Sequence, residues 1–302
     1  MNELTYRGTI VIFALAFQNT ALTLALKLSY RLGAVPYYQV EVILLSELIK
    51  LAVSLLIVYA HESRKELYMV VLDVYERPRV VIPSLLYVLQ NNLIFLAVKH
   101  LSRSVYIVSS QGKTITSCLF SCILLKKEFT IKQYVALLLL IFGIIVVQLS
   151  HESGQFESGG SSLFGVCCIL GANMTSGYAG VLLEGLFKTK SLSIWQRNIQ
   201  LALCSIPLLL IQLATSKKSR SLTAPLSGFD LVVWLVVLLS SLGGLITAFV
   251  MRYASAVLKC FAVSLSICMC SIMDSWQGIR LQVSTLFGIA LVCASLFLYN
   301  YH

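Results

Sequence analysis

Gln133-Tyr-Val-Ala-Leu-Leu-Leu-Leu-Ile-Phe-Gly-Ile-Ile-Val-Val-Gln-Leu-Ser150 carries no charge, and His151-Glu-Ser-Gly-Gln-Phe-Glu-Ser-Gly-Gly-Ser-Ser162 follows it directly. As a helix rising 1.5 Å per residue, the first run measures about 27 Å, close to the thickness of a bilayer's hydrocarbon core. The second run is rich in Gly and Ser and holds no Lys or Arg, the composition of a flexible linker. Beyond it, residues 163–184 turn apolar again. Working outward in both directions, apolar runs fall near 9–26, 40–60, 80–98, 104–125, 133–150, 163–184, 195–214, 231–251, 255–275 and 282–300. The expected fold class is therefore an all-α polytopic membrane protein with ten transmembrane helices.

Composition agrees. Of 302 residues, 58% are hydrophobic and 12% charged, and the mean hydropathy is +0.86. Soluble domains carry about 25% charged residues. A soluble enzyme, a secreted disulfide scaffold and a nucleic-acid-binding domain are excluded. The net charge of +10 reads as topology signalling and headgroup contact rather than as a nucleic-acid footprint. All nine cysteines lie inside apolar runs, where they read as packing residues, and no Cys/His spacing suggests a metal site. No metal, cofactor or catalytic residue is expected. The first span lacks a small-residue cleavage site and reads as retained rather than as a signal peptide.

The linker divides the sequence into a first five-helix half (1–150), the connecting segment (151–162) and a second five-helix half (163–302). Five spans per half would give the halves opposite orientations, the inverted repeat that accompanies midplane binding and alternating access. A shift of 153 residues places Lys99 on Arg252, Ser102 on Ser255 and Tyr134 on Phe287. With the N-terminus cytoplasmic, loop cations number 13 on the cytoplasmic side against 8 opposite. The positive-inside rule then favours both termini in the cytoplasm. Two stripes of small residues, Ala172/Ser176/Gly180 and Ser240/Gly244/Ala248, recur every four residues and suit close helix approach.

Polar residues inside the spans carry the functional argument, because a lysine at a span's centre costs about 2.5–3.5 kcal/mol on insertion scales. Lys50 has Glu47 three residues earlier on the same helical face, so a neutralised pair and a gating role both stand open. Lys113, in Tyr106-Ile-Val-Ser-Ser-Gln-Gly-Lys113-Thr, has no acid within a turn and lies too deep to reach either interface. A water-filled cavity where it meets an anion accounts for it. Gly112-Lys113-Thr114 looks like the end of a phosphate-binding P-loop, but Ile107 stands where that loop needs Gly. Lys259 lies one turn into the ninth span, where snorkelling competes with a second anion-facing role. Gln90, Asn91 and Asn92, Tyr106 and Gln111, and Asn198 and Gln200 supply amides and a hydroxyl, which bind either each other or a base and sugar.

The runs Ser46-Glu-Leu-Ile-Lys50-Leu, Val88-Leu-Gln-Asn-Asn92-Leu-Ile-Phe-Leu-Ala97, Ser176-Gly-Tyr-Ala-Gly180-Val-Leu-Leu-Glu184, Trp195-Gln-Arg-Asn-Ile-Gln200-Leu and Ser241-Leu-Gly-Gly-Leu245 together resemble the nucleotide-sugar transporters of the Golgi. The nearest branch is that carrying CMP-sialic acid, UDP-galactose and UDP-N-acetylglucosamine. The resemblance spans about residues 40–300. It implies a ten-helix drug/metabolite-transporter fold that exchanges a nucleotide sugar for a nucleoside monophosphate. By position, Lys113 and Lys259 correspond to the lysines facing the phosphates. Asn91 or Asn92, with Asn198, correspond to residues near base and ribose, and Tyr106 to a tyrosine of the cavity wall. Glu47, Lys50, Gly177, Gly180, Gly243 and Gly244, within these runs, are expected to be structural or gating. Carriers of CMP-sialic acid resemble one another in a Tyr and a Ser where this chain has Ala202 and Cys204, and UDP-sugar members have a small residue at the first position. The family's Pro after the first lysine is Thr114 here, and its Gly after the second is Cys260.

The expected function is antiport of a UDP-sugar, UDP-N-acetylglucosamine or UDP-galactose, into the Golgi or endoplasmic-reticulum lumen against UMP. The expected partners are the nucleotide sugar, the nucleoside monophosphate and the lipid bilayer, with a homodimer open. Rivals are a carrier of CMP-sialic acid or of a smaller anionic metabolite on the same fold, and, from another class, a membrane scaffold or an intramembrane glycosyltransferase. No paired carboxylates and no Ser/His/Asp set favour an enzyme.

Overall fold

In the computed structural model the described residues are 3–32, 37–61, 80–150, 163–189, 192–215, 226, 228–276 and 282–300. The 151–162 linker lies outside them. Eleven helices are described: α1 (Glu3–Leu32), α2 (Gln39–His61), α3 (Val81–His100), α4 (Arg103–Ser110), α5 (Gly112–Leu125), α6 (Ile131–Ser150), α7 (Leu163–Lys188), α8 (Ile194–Thr215), α9 (Leu231–Tyr253), α10 (Ala256–Trp276) and α11 (Val283–Asn300). Among the described residues nine helices are long and apolar enough to cross a membrane. A helix is the form such runs must take, because hydrocarbon offers the backbone no hydrogen-bond partner.

The fourth apolar run differs from its expectation as one helix. It divides at Gln111 into α4 and α5, neither of which alone is among the nine. Around the break, Gln111 N donates to Val108 O at 3.2 Å and Thr114 N to Gln111 O at 3.0 Å. These bonds step back three residues rather than four, a local tightening.

Local chemistry sets several helix starts. Thr130 and Gln133 at α6, and Ser193 and Gln196 at α8, exchange side-chain and backbone bonds as reciprocal caps. Asp230 accepts from Val233 N at 2.8 Å at α9, and Ser255 accepts from Leu258 N at 3.1 Å at α10. α5 ends at Lys126, which takes the left-handed conformation (φ 51°), so that Lys127 N reaches Ser121 O at 3.2 Å.

The chain forms two compact units, residues 1–85 with 186–253 and residues 86–185 with 254–302. Each takes helices from both halves of the sequence. In the first unit, α9 packs on α1 and α2, and α2 packs on α8. Ala25, Val42, Val233, Val236 and Val237 form one buried cluster, and Val58 and Ile199 centre another. In the second unit α6 and α11 pair along their length, and α10 packs on α5, α6 and α11. Leu140, Ile144, Phe261 and Val292 belong to its main cluster. A second cluster joins α3, the α3–α4 junction and α7 through Ala97, Leu101, Ile169 and Ala172. The α6–α11 pair is backbone-close: a Cβ on Gly143 would lie 3.0 Å from Gly288 O, and one on Gly288 only 2.8 Å from Gly143 O.

Candidate functional site

The second unit holds both lysines that the sequence left without an acidic neighbour. Lys113 stands in the first turn of α5, just after the break, and Lys259 in the first turn of α10. Each is half-buried. The two helices pack together, and Cys260 Sγ lies 4.0 Å from Ser117 Oγ. Ser117 is one turn beyond Lys113, and its hydroxyl donates to Lys113 O at 2.8 Å. The turns that carry the two lysines therefore belong to facing helices of one packed body. Neither ammonium has an ion-pair partner among the described residues.

Lys50 and Lys127, by contrast, are each neutralised by a carboxylate. Lys50 Nζ lies 2.6 Å from Glu47 Oε1 in the first unit, and Ser205 Oγ donates to Glu47 Oε2 at 3.2 Å. Gly244 makes room for the lysine stem, since a Cβ there would lie 2.6 Å from Lys50 Cδ. Gly243 likewise admits Gln18, whose Nε2 donates to Leu239 O at 2.8 Å. In the second unit Lys127 Nζ lies 2.5 Å from Oε1 of Glu184, a carboxylate with no exposed surface. Glu184 Oε2 also accepts from Ala256 N at 2.9 Å. A carboxylate at the positive end of α10 is favourably placed, and this one fastens α7 to the helix that carries Lys259.

The candidate amides divide. Gln111 is buried, and its Nε2 donates to Gln148 Oε1 at 3.2 Å, an amide pair between the fourth and fifth spans. Asn91 and Asn92 are exposed on α3, and Asn92 Nδ2 turns back to Val88 O at 2.9 Å. Tyr106 is half-buried against the α3–α7 cluster. In the first unit, Arg197 Nη1 donates to the buried Gln200 Oε1 at 2.8 Å. Asn198 is also buried, and its Nδ2 has no hydrogen-bond partner among the described residues. Ala202 is buried and Cys204 half-buried, its thiol free.

Gly177 and Gly180 play different parts. A Cβ on Gly177 would meet Thr116 Oγ1 at 2.5 Å and the Thr116 carbonyl carbon at 2.7 Å, whereas one on Gly180 would meet only Ala256 Cβ, at 3.7 Å. The close crossing of α5 and α7 thus runs through Gly177, one position off the stripe that the spacing suggested. Sequence reading also passed over Asn173, whose side chain enters the α4–α5 break. Its position beside Ala172 hid it among small residues, and its partner is far away in the chain. Among the described residues, no group of three or more His, Cys, Asp or Glu is placed to hold a metal ion.

A polytopic all-helical membrane protein, with lone lysines and scattered amides in its spans, has the makings of a carrier for anionic solutes. The family model for nucleotide-sugar transporters matches residues 4–300, and the chain belongs to that family. A UDP-N-acetylglucosamine/UDP-N-acetylgalactosamine transporter of Caenorhabditis elegans is 33% identical, over 97% of this chain and 93% of its own length. The UDP-N-acetylglucosamine transporter of Canis lupus familiaris is 34% identical over 95% and 93% respectively. The human UDP-galactose translocator is 32% identical over 95% of this chain and 75% of its own. One solved crystal structure superposes with a TM-score of 0.73 at 15% identity, covering 97% of this chain and 96% of that one. It supports the fold alone. The family and these relatives are transporters rather than enzymes.

Proposed function

We propose that the chain is an antiporter that carries a UDP-sugar, UDP-N-acetylglucosamine or UDP-galactose, across the Golgi or endoplasmic-reticulum membrane in exchange for UMP. The observation that carries this reading is the contrast among cations. Lys50 and Lys127 are paired with carboxylates, while Lys113 and Lys259, on two packed helices of one unit, are not. A cation kept half-buried without a counter-ion is costly unless an anion completes it. Two of them suit a diphosphate, and one shared binding site for sugar nucleotide and monophosphate gives exchange when the empty carrier reorients slowly.

Uracil is favoured by the small Ala202 and by relatives whose names specify UDP-sugars. Asn198, whose Nδ2 lacks a hydrogen-bond partner among the described residues, is assigned to the base or ribose. The loop-cation balance supports cytoplasmic termini. The test is uptake of labelled UDP-N-acetylglucosamine into proteoliposomes preloaded with UMP, CMP, GMP or nothing. Stimulation by UMP above the other loads is expected. Best uptake with CMP refutes the reading of Ala202, and uptake indifferent to every load refutes exchange.

A further inference from the structure

Asn173 grips the fourth span on both sides of its break. Its Nδ2 donates to Ser109 O, before the break, at 2.8 Å. Its own backbone oxygen accepts from Thr116 Oγ1, beyond the break, at 2.7 Å. Asn173 and Thr116 are both buried, at 4% and 8% exposure. Between the two contacts stands Gly112, where a Cβ would lie 2.6 Å from Asn173 Nδ2. Any other residue at 112 would displace the amide. On the facing helix, Gly177 gives Thr116 the same clearance one turn later. Two glycines and two polar residues thus interlock, and the short segment so held contains Lys113.

Close packing alone would ask only for small residues at such a crossing. A buried amide is a further expense that needs its hydrogen bonds to be tolerated. Here the amide's bond goes to the Ser109 carbonyl in the last turn before the break. Thr116, one turn beyond Lys113, ties the backbone of Asn173 to the other side, so that the two contacts bracket the turn that sets where the Lys113 Cα sits.

We infer that Asn173 is a positioning residue for phosphate recognition, acting through the α4–α5 break to hold Lys113 in place. The inference rests on the proposed phosphate role of Lys113. It makes Asn173 and Gly112 a matched pair, neither of which works without the other.

The experiment compares the affinities of purified protein for uridine and for UMP by titration, the ratio of the two isolating the contribution of the phosphate. Asn173→Ala is expected to reduce that ratio about tenfold, the scale of one buried hydrogen bond, and to leave uridine affinity unchanged. Thr116→Val, which removes the strut on the other side, is expected to move the ratio in the same direction and serves if Asn173→Ala does not fold. A ratio unchanged in both variants overturns the inference, as does an equal loss of uridine and UMP affinity, the signature of a merely structural role. Lys113→Ala is the separate arm. If it keeps the wild-type ratio, the phosphate role of Lys113 fails, and a fall seen only with Asn173→Ala then shows that the amide acts by another route.

Discussion

Consider removing the charge from Lys127, as Lys127→Ala. Glu184 has no exposed surface, and its carboxylate is shared between the Lys127 ammonium and the backbone N–H of Ala256. Breaking a buried pair by deleting one partner costs about 3–5 kcal/mol, most of it the penalty of the charge left behind. Lys127 is 28% exposed, so water already weakens the pair, and about 2–3 kcal/mol is the better expectation. Glu184→Gln keeps an acceptor for Ala256 N and loses only the charge-assisted part, about 1.5 kcal/mol. Combining the two removes the stranded charge, so the double variant is expected to be more stable than Lys127→Ala by about 1–2 kcal/mol, a strongly non-additive cycle. At about 2 °C per kcal/mol for a chain of this size, Lys127→Ala lowers the melting temperature by about 5 °C. The second substitution then restores about half. Thermal unfolding in detergent, followed by tryptophan fluorescence, measures all four proteins. A double variant as unstable as the sum of the singles would refute the view that a stranded carboxylate, rather than lost packing, sets the penalty.

Gly177→Ala drives a methyl into Thr116, including its backbone, and is expected to cost about 1–3 kcal/mol. Gly180→Ala meets only Ala256 Cβ at van der Waals distance and is expected to be neutral or slightly stabilising by helix propensity. Melting temperatures of the two variants check the contrast. Lys113→Ala and Lys259→Ala are each expected to abolish nucleotide-driven exchange and to remove the thermal stabilisation by UMP and UDP, while the unliganded proteins unfold near the wild-type temperature. Retained exchange in both would show that neither lysine meets the phosphates.

Much of the fold was legible because hydrocarbon imposes one rule on every span. The run at 231–251 became Leu231–Tyr253 and that at 255–275 became Ala256–Trp276. The first span outgrew its expected 9–26, reaching Glu3–Leu32, because a helix continues past the hydrophobic stretch that betrays it. The break at Gln111 was invisible to hydropathy, since a change of hydrogen-bond step alters no residue's polarity. Ser109-Ser110-Gln111-Gly112 was the available signal, a Ser/Gly cluster of the kind found where helices bend. Lys113 stood out from its sequence alone because nothing nearby could neutralise it. Asn173 and Glu184 did not, for the opposite reason: their meaning lies in Ser109, Thr116, Lys127 and Ala256, which only tertiary packing brings to them.

The contact between Gly143 and Gly288 has a bearing on biogenesis. α6 leaves the ribosome long before α11 exists, and at about 5–20 residues per second its glycine face waits on the order of ten seconds for a mate. The first unit has the same dependence, since α1 packs against α9. Neither body closes until the second half of the polypeptide has been threaded into the bilayer. A chain interrupted at the linker would therefore leave the translocon with five inserted helices and no completed partner for any of these grooves, a species that quality control can recognise by its unfilled seams.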